Sequence, residues 1–304
     1  MKPEIETQRR GSTGPYKDLF IYHLKGRVGD EEELVLGEHF LGNWLEDDTS
    51  FLFFSMPSRE NVSGLLRMRS DLELIEDYNL TYEEWQGSAL KPMAIERFLI
   101  HPPWEEWVED EGKIEIILDP GVVFGTGLHP TTKDCLKALV HLHRQSSPQR
   151  VLDLGTGTGI LALAAALLGA ERVLAVDLNP LSVKTAQTNV GLNNLEGSIE
   201  VVRGLAEDFV QETADLIVAN LQHSVIVKLL ERKGFLEKRW FIISGLLRSE
   251  VRNIRYQLVQ NNLDVVREWD HENTWYTLLV RNDNVRGRVL DSKRKTGVIN
   301  QSPK

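Results

Sequence analysis

One cysteine, Cys135, stands among 304 residues. That scarcity excludes an internal disulfide framework and a cysteine-built zinc site, and it directs expectation to a reducing cytoplasm. Cys135 itself reads as a small buried hydrophobe on a helix. Positive charge is also in short supply: 35 Lys and Arg face 45 Asp and Glu, a formal net charge of −10. Such a balance argues against a broad nucleic-acid-binding face and favours a basic protein partner. No apolar run approaches the ~20 residues that a membrane-spanning helix needs. The opening MKPEIETQRRGSTG lacks the apolar core of a signal peptide, so neither a leader nor a membrane partner is expected. His141 and His143 lie near one helix without the acidic partners and spacing of a zinc site, so no metal is expected.

What is present concentrates in VLDLGTGTGILALAAALLGAERVLAVDLNP, Val151 to Pro180. Val151–Leu154 predicts a short strand, and Gly155, Gly157 and Gly159 a turn whose backbone approaches a ligand closely. A helix follows from Ile160 with Gly169 suited to its C-cap, and then a buried strand over Val173–Val176. Asp177 ends that strand, where a carboxylate is able to accept hydrogen bonds from both hydroxyls of a ribose. The spacing G-x-G-x-G differs from the G-x-G-x-x-G of dinucleotide sites, and Asp153 precedes it by two positions. The pattern points to S-adenosylmethionine rather than NAD. That donor has no pyrophosphate to demand the third glycine, and it carries an amino acid end that an acid helps to hold. A turn that serves only the core is the alternative, and the acid placed at the strand end speaks against it.

Residues 1–14 are polar and read as a disordered N-terminus. Over 15–90, strand-like runs at Leu19–Leu24 and Phe51–Phe54 alternate with acidic stretches (Glu31–Glu33, Asp47, Asp48, Glu73, Glu76, Asp77), which predicts a small α+β domain. Acidic stretches are ordinarily only a solvated surface; here they are candidates for holding a basic substrate. Residues 91–135 form a bridging segment and a glycine-rich loop, with Pro92, Pro102, Pro103, Trp104 and Trp107, too rich in proline for continuous helix. From 136 to 282 strands alternate with helices. Asn179 caps a helix that carries Pro180 in its first turn and stops at Gly191. Strands follow at Ile199–Arg203, Asp215–Ala219 and Trp240–Ser244, with helices around Val225–Glu231 and Ser249–Asn261, and a hairpin of Leu263–Trp269 with Trp275–Val280. The fold class expected is α/β: a doubly wound, Rossmann-like class I methyltransferase sheet closed by a C-terminal antiparallel strand, with a small N-terminal α+β domain. Residues 283–304, rich in Arg and Lys, read as a basic flexible tail.

Two further segments carry chemistry. In LDPGVVFGTGLHPTT, Leu118 to Thr132, Gly121, Gly125 and Gly127 supply a loop able to close over a ligand. Thr131 or Thr132 is expected to cap the helix of Lys133–His141 while presenting a hydroxyl outward. His129 reads as a base or, more simply, as a loop residue bonding locally; Phe124 packs on the ligand or joins the core. ADLIVAN ends on Asn220 at the carboxyl edge of the sheet, where doubly wound folds bind ligands. An amide oxygen there is able to accept an N–H from a substrate amine and aim its lone pair at a methyl group. The alternative is that Asn220 caps the following helix.

LDPGVVFGTGLHPTT, VLDLGTGTGILALAAALLGA, AVDLNP, VANL and ISGLL, in this order, resemble the signature segments of the PrmA family, which methylates ribosomal protein L11 of the large subunit. The resemblance runs from about Trp85 to Asn282. It implies a donor bound by Thr132, Gly155, Asp177 and Asn220, and an N-terminal domain that recognises the ribosomal protein. With the residues chosen on chemical grounds, the candidate donor-binding set is Phe124, Thr132, Asp153, Gly155, Gly157, Gly159, Asp177 and Asn220, with Asn220 the candidate catalytic residue. The activity implied is S-adenosylmethionine-dependent methylation of amino groups on L11 or another lysine-rich protein, with no direct nucleic-acid partner. A small-molecule methyltransferase with the leading domain as a lid, and a donor-binding protein that has lost catalysis, are the alternatives. Two departures bear on them. Gln222, His223 and Ser224 follow Asn220 on the expected acceptor side where the family has apolar and small residues, and residues 15–90 show no convincing match.

Overall fold

Period-two alternation shapes the first sheet. In the computed structural model, which describes residues 15–105 and 112–285, β1 (Asp18–Lys25), β2 (Phe40–Glu46), β3 (Thr49–Phe54) and β4 (Glu73–Thr81) pair in the order β2-β3-β1-β4. All three pairings are antiparallel. Helices α1 (Asp30–Glu33) and α2 (Arg59–Met68) supply the crossings of a split β-α-β arrangement. Tyr22, Leu24, Leu52 and Phe54 pack with Val62 and Leu65 of α2. Leu19, Ile21 and Phe53 project to the opposite face and pack on Val122, Val123 and Leu181. The predicted α+β region is therefore apolar on both faces, and one of them is covered by the rest of the chain. The expectations for residues 1–14, for Trp107 and for the tail from 286 lie outside the described residues.

The bridging segment holds more regular structure than its prolines suggest. After α3 (Tyr82–Gln86), strands β5 (Met93–Ile95), β6 (Phe98–His101) and β7 (Ile114–Ile117) form a three-stranded sheet. Pro92 precedes β5 and Pro102 follows β6, positions where a missing N–H removes no ladder bond. Helix α4 (Pro130–His143) starts three residues before the expected Lys133 and runs through the expected 135/136 boundary.

The second sheet contains β8 (Arg150–Leu154), β9 (Arg172–Asp177), β10 (Ile199–Arg203), β11 (Leu216–Asn220), β12 (Trp240–Leu247), β13 (Asp264–His271) and β14 (Trp275–Arg281). Its order is β10-β9-β8-β11-β12-β14-β13. The strands from β10 to β12 are parallel, as their crossovers demand. The C-terminal hairpin forms, and its second strand, β14, takes the inner place between β12 and β13, antiparallel to both. One core joins α4 and α5 (Ile160–Leu167) to one face of this sheet. A second joins α7 (His223–Leu230), α8 (Lys233–Leu236) and α9 (Arg248–Gln260) to the other, while α6 (Pro180–Leu192) follows β9. Strand order reverses between β8 and β11, so a crevice opens at their carboxyl ends.

Candidate functional site

β8 leads into the glycine turn at that crevice. Gly155, Gly157 and Gly159 hold φ of +73°, +56° and +84°, values that L side chains rarely adopt. Space excludes a side chain as well: a Cβ on Gly157 would lie 2.6 Å from the Phe124 carbonyl oxygen, a backbone atom that cannot swing away. Thr156 Oγ1 donates to Asp153 Oδ2 at 2.6 Å and braces the turn from the strand side. Asp177 braces it from the other strand, its Oδ2 accepting from Gly157 N and its Oδ1 from Asn179 N, both at 2.9 Å. A carboxylate offers about four lone-pair positions, so Asp177 keeps acceptor capacity for a ligand. Burial raises the Asp177 carboxyl from its ordinary value, against the opposing pull of the backbone donors at Asn179, Gly157 and Leu178 and of the Ser182 hydroxyl. Asp153 is buried more completely, and burial pushes its carboxyl up to about 7. The Thr156 hydroxyl opposes that rise and the nearby Asp177 adds to it. Two acids under strain behind an open backbone turn suit a cationic, hydroxyl-bearing ligand.

The glycine-rich loop is clamped over this turn by residues that sequence reasoning missed. Asn189 of α6 is fully buried. Its Oδ1 accepts from Asp119 N at 2.8 Å, and its Nδ2 donates to Asp119 O at 2.9 Å and to Thr158 O at 2.8 Å. Asn193, one turn later, exchanges bonds with Ile117 N and O at 3.0 and 2.7 Å. Their i,i+4 spacing on one helix face was the only signal in the sequence. Thr158 Oγ1 donates to Gly125 O at 2.7 Å. From the first sheet's side, Tyr82 Oη and Gln86 Nε2 donate to Gly121 O at 2.7 and 2.9 Å, and Trp85 Nε1 to Val122 O at 3.2 Å. Phe124 is 53% exposed and so does not join the core. Its ring meets His129 edge-on at 5.3 Å, and His129 meets Trp275 at 4.9 Å.

At the start of α4 the structure corrects the expected cap. His129, not Thr131 or Thr132, is the N-cap: its Nδ1 accepts from Thr131 N while Pro130 fills the first helical position. Thr131 and Thr132 lie inside the first turn, both buried. Thr131 Oγ1 lies 2.8 Å from His129 Nδ1 and accepts from Asn220 Nδ2 at 3.3 Å. Thr132 Oγ1 is buried with no hydrogen-bond partner. An unsatisfied buried hydroxyl costs about 1–3 kcal/mol, which a ligand would recover. Asn220 does not cap the next helix, because Gln222 is the N-cap of α7. His223 Nε2 lies 3.3 Å from Asn253 Oδ1 of α9, which ties this departure from the family pattern to α9. A cavity of about 640 Å³ between Arg150, Arg172, Glu196 and Glu200 opens at the amino edge of the sheet. That is the end away from the glycine turn and from Asn220, where doubly wound sheets do not place ligands. Among the described residues, no group of three or more His, Cys, Asp or Glu is placed to hold a metal.

Known proteins resemble this chain in sequence. The profile of a family described as "Ribosomal protein L11 methyltransferase (PrmA)" matches residues 45–283. The match thus begins at the end of β2, well before Trp85, and takes in β3, α2 and β4 of the region that had shown no convincing likeness. The ribosomal protein L11 methyltransferase of Alkaliphilus oremlandii is 39% identical over 63% of this chain, and the chain spans only 60% of that relative's length. The protein of the same name from Clostridium botulinum is 34% identical over 88% of this chain and 84% of its own length. Among solved structures, the ribosomal protein L11 methylase from Lactobacillus delbrueckii subsp. bulgaricus superposes with a TM-score of 0.56 at 28% identity, covering 63% of this chain and 98% of that one.

Proposed function

The chain belongs to the ribosomal protein L11 methyltransferase (PrmA) family, and on that premise we propose that it transfers the methyl group of S-adenosylmethionine to amino groups of ribosomal protein L11. One observation carries the reading. The turn braced by Asp153 and Asp177 and the Asn220 amide stand at the tips of β8, β9 and β11, with the unpartnered Thr132 hydroxyl at the start of α4.

Each group has a task. The donor supplies a methyl group on a sulfonium, a cation without phosphate. Gly155, Gly157 and Gly159 let the backbone lie against it, and the spare lone pairs of Asp177 accept its ribose hydroxyls. Thr132 gives its orphaned hydroxyl a partner there, Asp153 supplies negative charge from behind the turn, and Phe124 covers the ligand. Asn220 accepts an N–H of the substrate amine and points the nitrogen lone pair at the methyl carbon. A lysine side chain, with a reference pKa of about 10.4, must first lose a proton to solvent, and desolvation beside Phe124 and Trp275 favours the neutral amine. The aligned nitrogen then bonds to carbon as the carbon–sulfur bond breaks with its electron pair to sulfur. The new ammonium returns a proton to water.

The proposed partner is a basic protein, L11 first, met in the cytoplasm without direct contact to nucleic acid or membrane. Part of the acidic surface is spent internally: Arg69 holds Glu32 and Asp71, and Arg59 holds Asp77. Asp47, Asp48, Glu73 and Glu76 make no ion pair among the described residues and remain to attract lysines. Calorimetry with S-adenosylmethionine, its demethylated product and NAD, followed by transfer of labelled methyl to purified L11, tests the proposal. Both sulfur ligands should bind and NAD should not, with Asp177→Ala losing about 1.5–3 kcal/mol of donor affinity. Label on another basic protein but not L11 would keep the chemistry and remove the target. Donor binding without turnover on any amine would make the chain a binding protein.

A further inference from the structure

Three groups form a chain whose hydrogen-bond polarity is set by one backbone donor, Thr131 N, 3.4 Å from His129 Nδ1. A backbone N–H can only donate, so Thr131 N donating to His129 Nδ1 leaves that nitrogen without a proton. His129 is then neutral with its proton on Nε2. The Thr131 hydroxyl, 2.8 Å from the same Nδ1, must donate to it, and its single proton is thereby used. Only a lone pair faces Asn220, so Asn220 presents its NH2 group there, at 3.3 Å. The Asn220 oxygen is turned to the other side, free to accept an N–H from the substrate amine. The assignment follows from counting donors outward from the Thr131 N–H, which holds Nδ1 as an acceptor.

We infer that His129 and Thr131 are positioning residues that set the polarity of the Asn220 amide, an inference that rests on the methyl-transfer reading above. Protonation of His129 at Nδ1 would place two donors, its own N–H and that of Thr131, against each other. The Thr131 hydroxyl would become an acceptor from the imidazolium and turn its proton toward Asn220, which would then have to present its oxygen to Thr131. An amide turned that way offers the substrate amine an NH2 group, a donor facing donors, and the alignment is lost. The surroundings favour the neutral ring. Phe124 of the loop and Trp275 of β14 face it with ring contacts, and Thr131 and Asn220 are uncharged. His271 at the end of β13 is the titratable group that acts on it, and no carboxylate bonds it among the described residues. Burial first, and His271 second, hold its pKa below the ordinary histidine value.

The test compares three variants of the full chain. His129→Asn keeps an acceptor oxygen in the place of Nδ1 and remains a good N-cap, but cannot be protonated. It should keep kcat at neutral pH within about tenfold of wild type and lose the acid limb of the pH profile. His129→Leu and Thr131→Val break the chain, and each should lower kcat by about 100-fold with donor Kd unchanged, the scale of a misaligned reactant. Nitrogen-15 spectra of the wild type read the same device without turnover: Nδ1 of His129 should be unprotonated at neutral pH, and the Asn220 side-chain amide should shift as His129 titrates. An acid limb that persists in His129→Asn, or an Asn220 amide indifferent to that titration, overturns the inference. Wild type that gives the coupled spectra but transfers no methyl to L11 refutes the proposed function and leaves the hydrogen-bond device standing.

Discussion

The two main sheets bury their strands by different means. In the seven-stranded sheet, the parallel strands are apolar along nearly their whole length, and helices of the same unit cover both faces. Arg150 and Arg172 stand at the amino ends, while Asp153, Asp177 and Asn220 stand at or beside the carboxyl tips around the glycine turn. The four-stranded sheet owns helices for a single face and lends the other, through Leu19, Ile21 and Phe53, to Val122 and Val123 of the glycine-rich loop. The loop that closes over the glycine turn is thus held from below by Asn189 and from above by a neighbouring sheet. A domain expected to recognise a partner is also part of the support for the proposed donor site.

Adjacent residues on opposite faces of β3 break or sharpen that contrast, and they carry the largest expected effect. Phe53 faces the loop and Phe54 faces the α2 side, and both are buried. Truncating either to alanine should cost about 3–5 kcal/mol of stability, as large-to-small changes in a packed core do. Only Phe53→Ala should also weaken donor binding, because it loosens the seat of Val122 and Val123. Denaturant melts give the first quantity and calorimetry at a temperature where both variants are folded gives the second. Equal donor affinity in the two variants would show that the first sheet is only attached to the site and does not support it.

Asn220→Ala comes next. Asn220 is half-buried and caps nothing, since Gln222 starts α7, so its loss should spare the fold. Turnover should fall about 100-fold while donor affinity stays within about threefold, the signature of a group that aligns the acceptor rather than holding the donor. A kcat within a few-fold of wild type would place the aligning task elsewhere on the carboxyl edge.

The same contrast explains what the sequence disclosed. The placement of Gly155–Gly159, Asp177 and Asn220 at the carboxyl edge was legible because each sits beside a strand end and is governed by local geometry: positive φ, or the last residue of a buried strand. The alternation of Leu19 to Leu24 announced a sheet, but not that Leu19 and Ile21 would be covered by a loop a hundred residues away. His129 was hidden by propensity, since threonine is the better N-cap; Pro130 decides the matter by fixing the first helical position after it. Asn189 lies inside, and Asn193 just beyond, the helix expected to stop at Gly191, and nothing local marks either one. Their role depends on the loop at Ile117 and Asp119, reached only in three dimensions. Thr131 and Thr132 were inseparable on chemical grounds, yet the roughly 100° between consecutive helical residues sends one hydroxyl to His129 and Asn220 and leaves the other unpaired.

The smallest expected effect distinguishes the seven-stranded sheet's edge from its interior through one proton. Asp153 is raised to about 7 by burial, far above the ~3.9 of an exposed aspartate. Near neutral pH it is therefore shared between its charged and neutral forms. A bound sulfonium and ammonium favour the carboxylate, so donor binding should release a fraction of a proton, visible as a dependence of the calorimetric heat on buffer ionisation. Affinity should weaken as pH falls below about 7, by at most about tenfold or 1.4 kcal/mol per unit. The demethylated product, which lacks the sulfonium, should show less of this dependence. The sign for the unliganded fold is opposite: an acid whose folded pKa exceeds its unfolded one loses stability as pH rises between the two values. Asp153→Asn keeps an acceptor for Thr156, so it should melt higher than wild type at pH 8, lose that advantage toward pH 4, and bind donor with no proton release. A variant that still releases a proton would assign the linkage to Asp177 instead, whose carboxyl burial also raises.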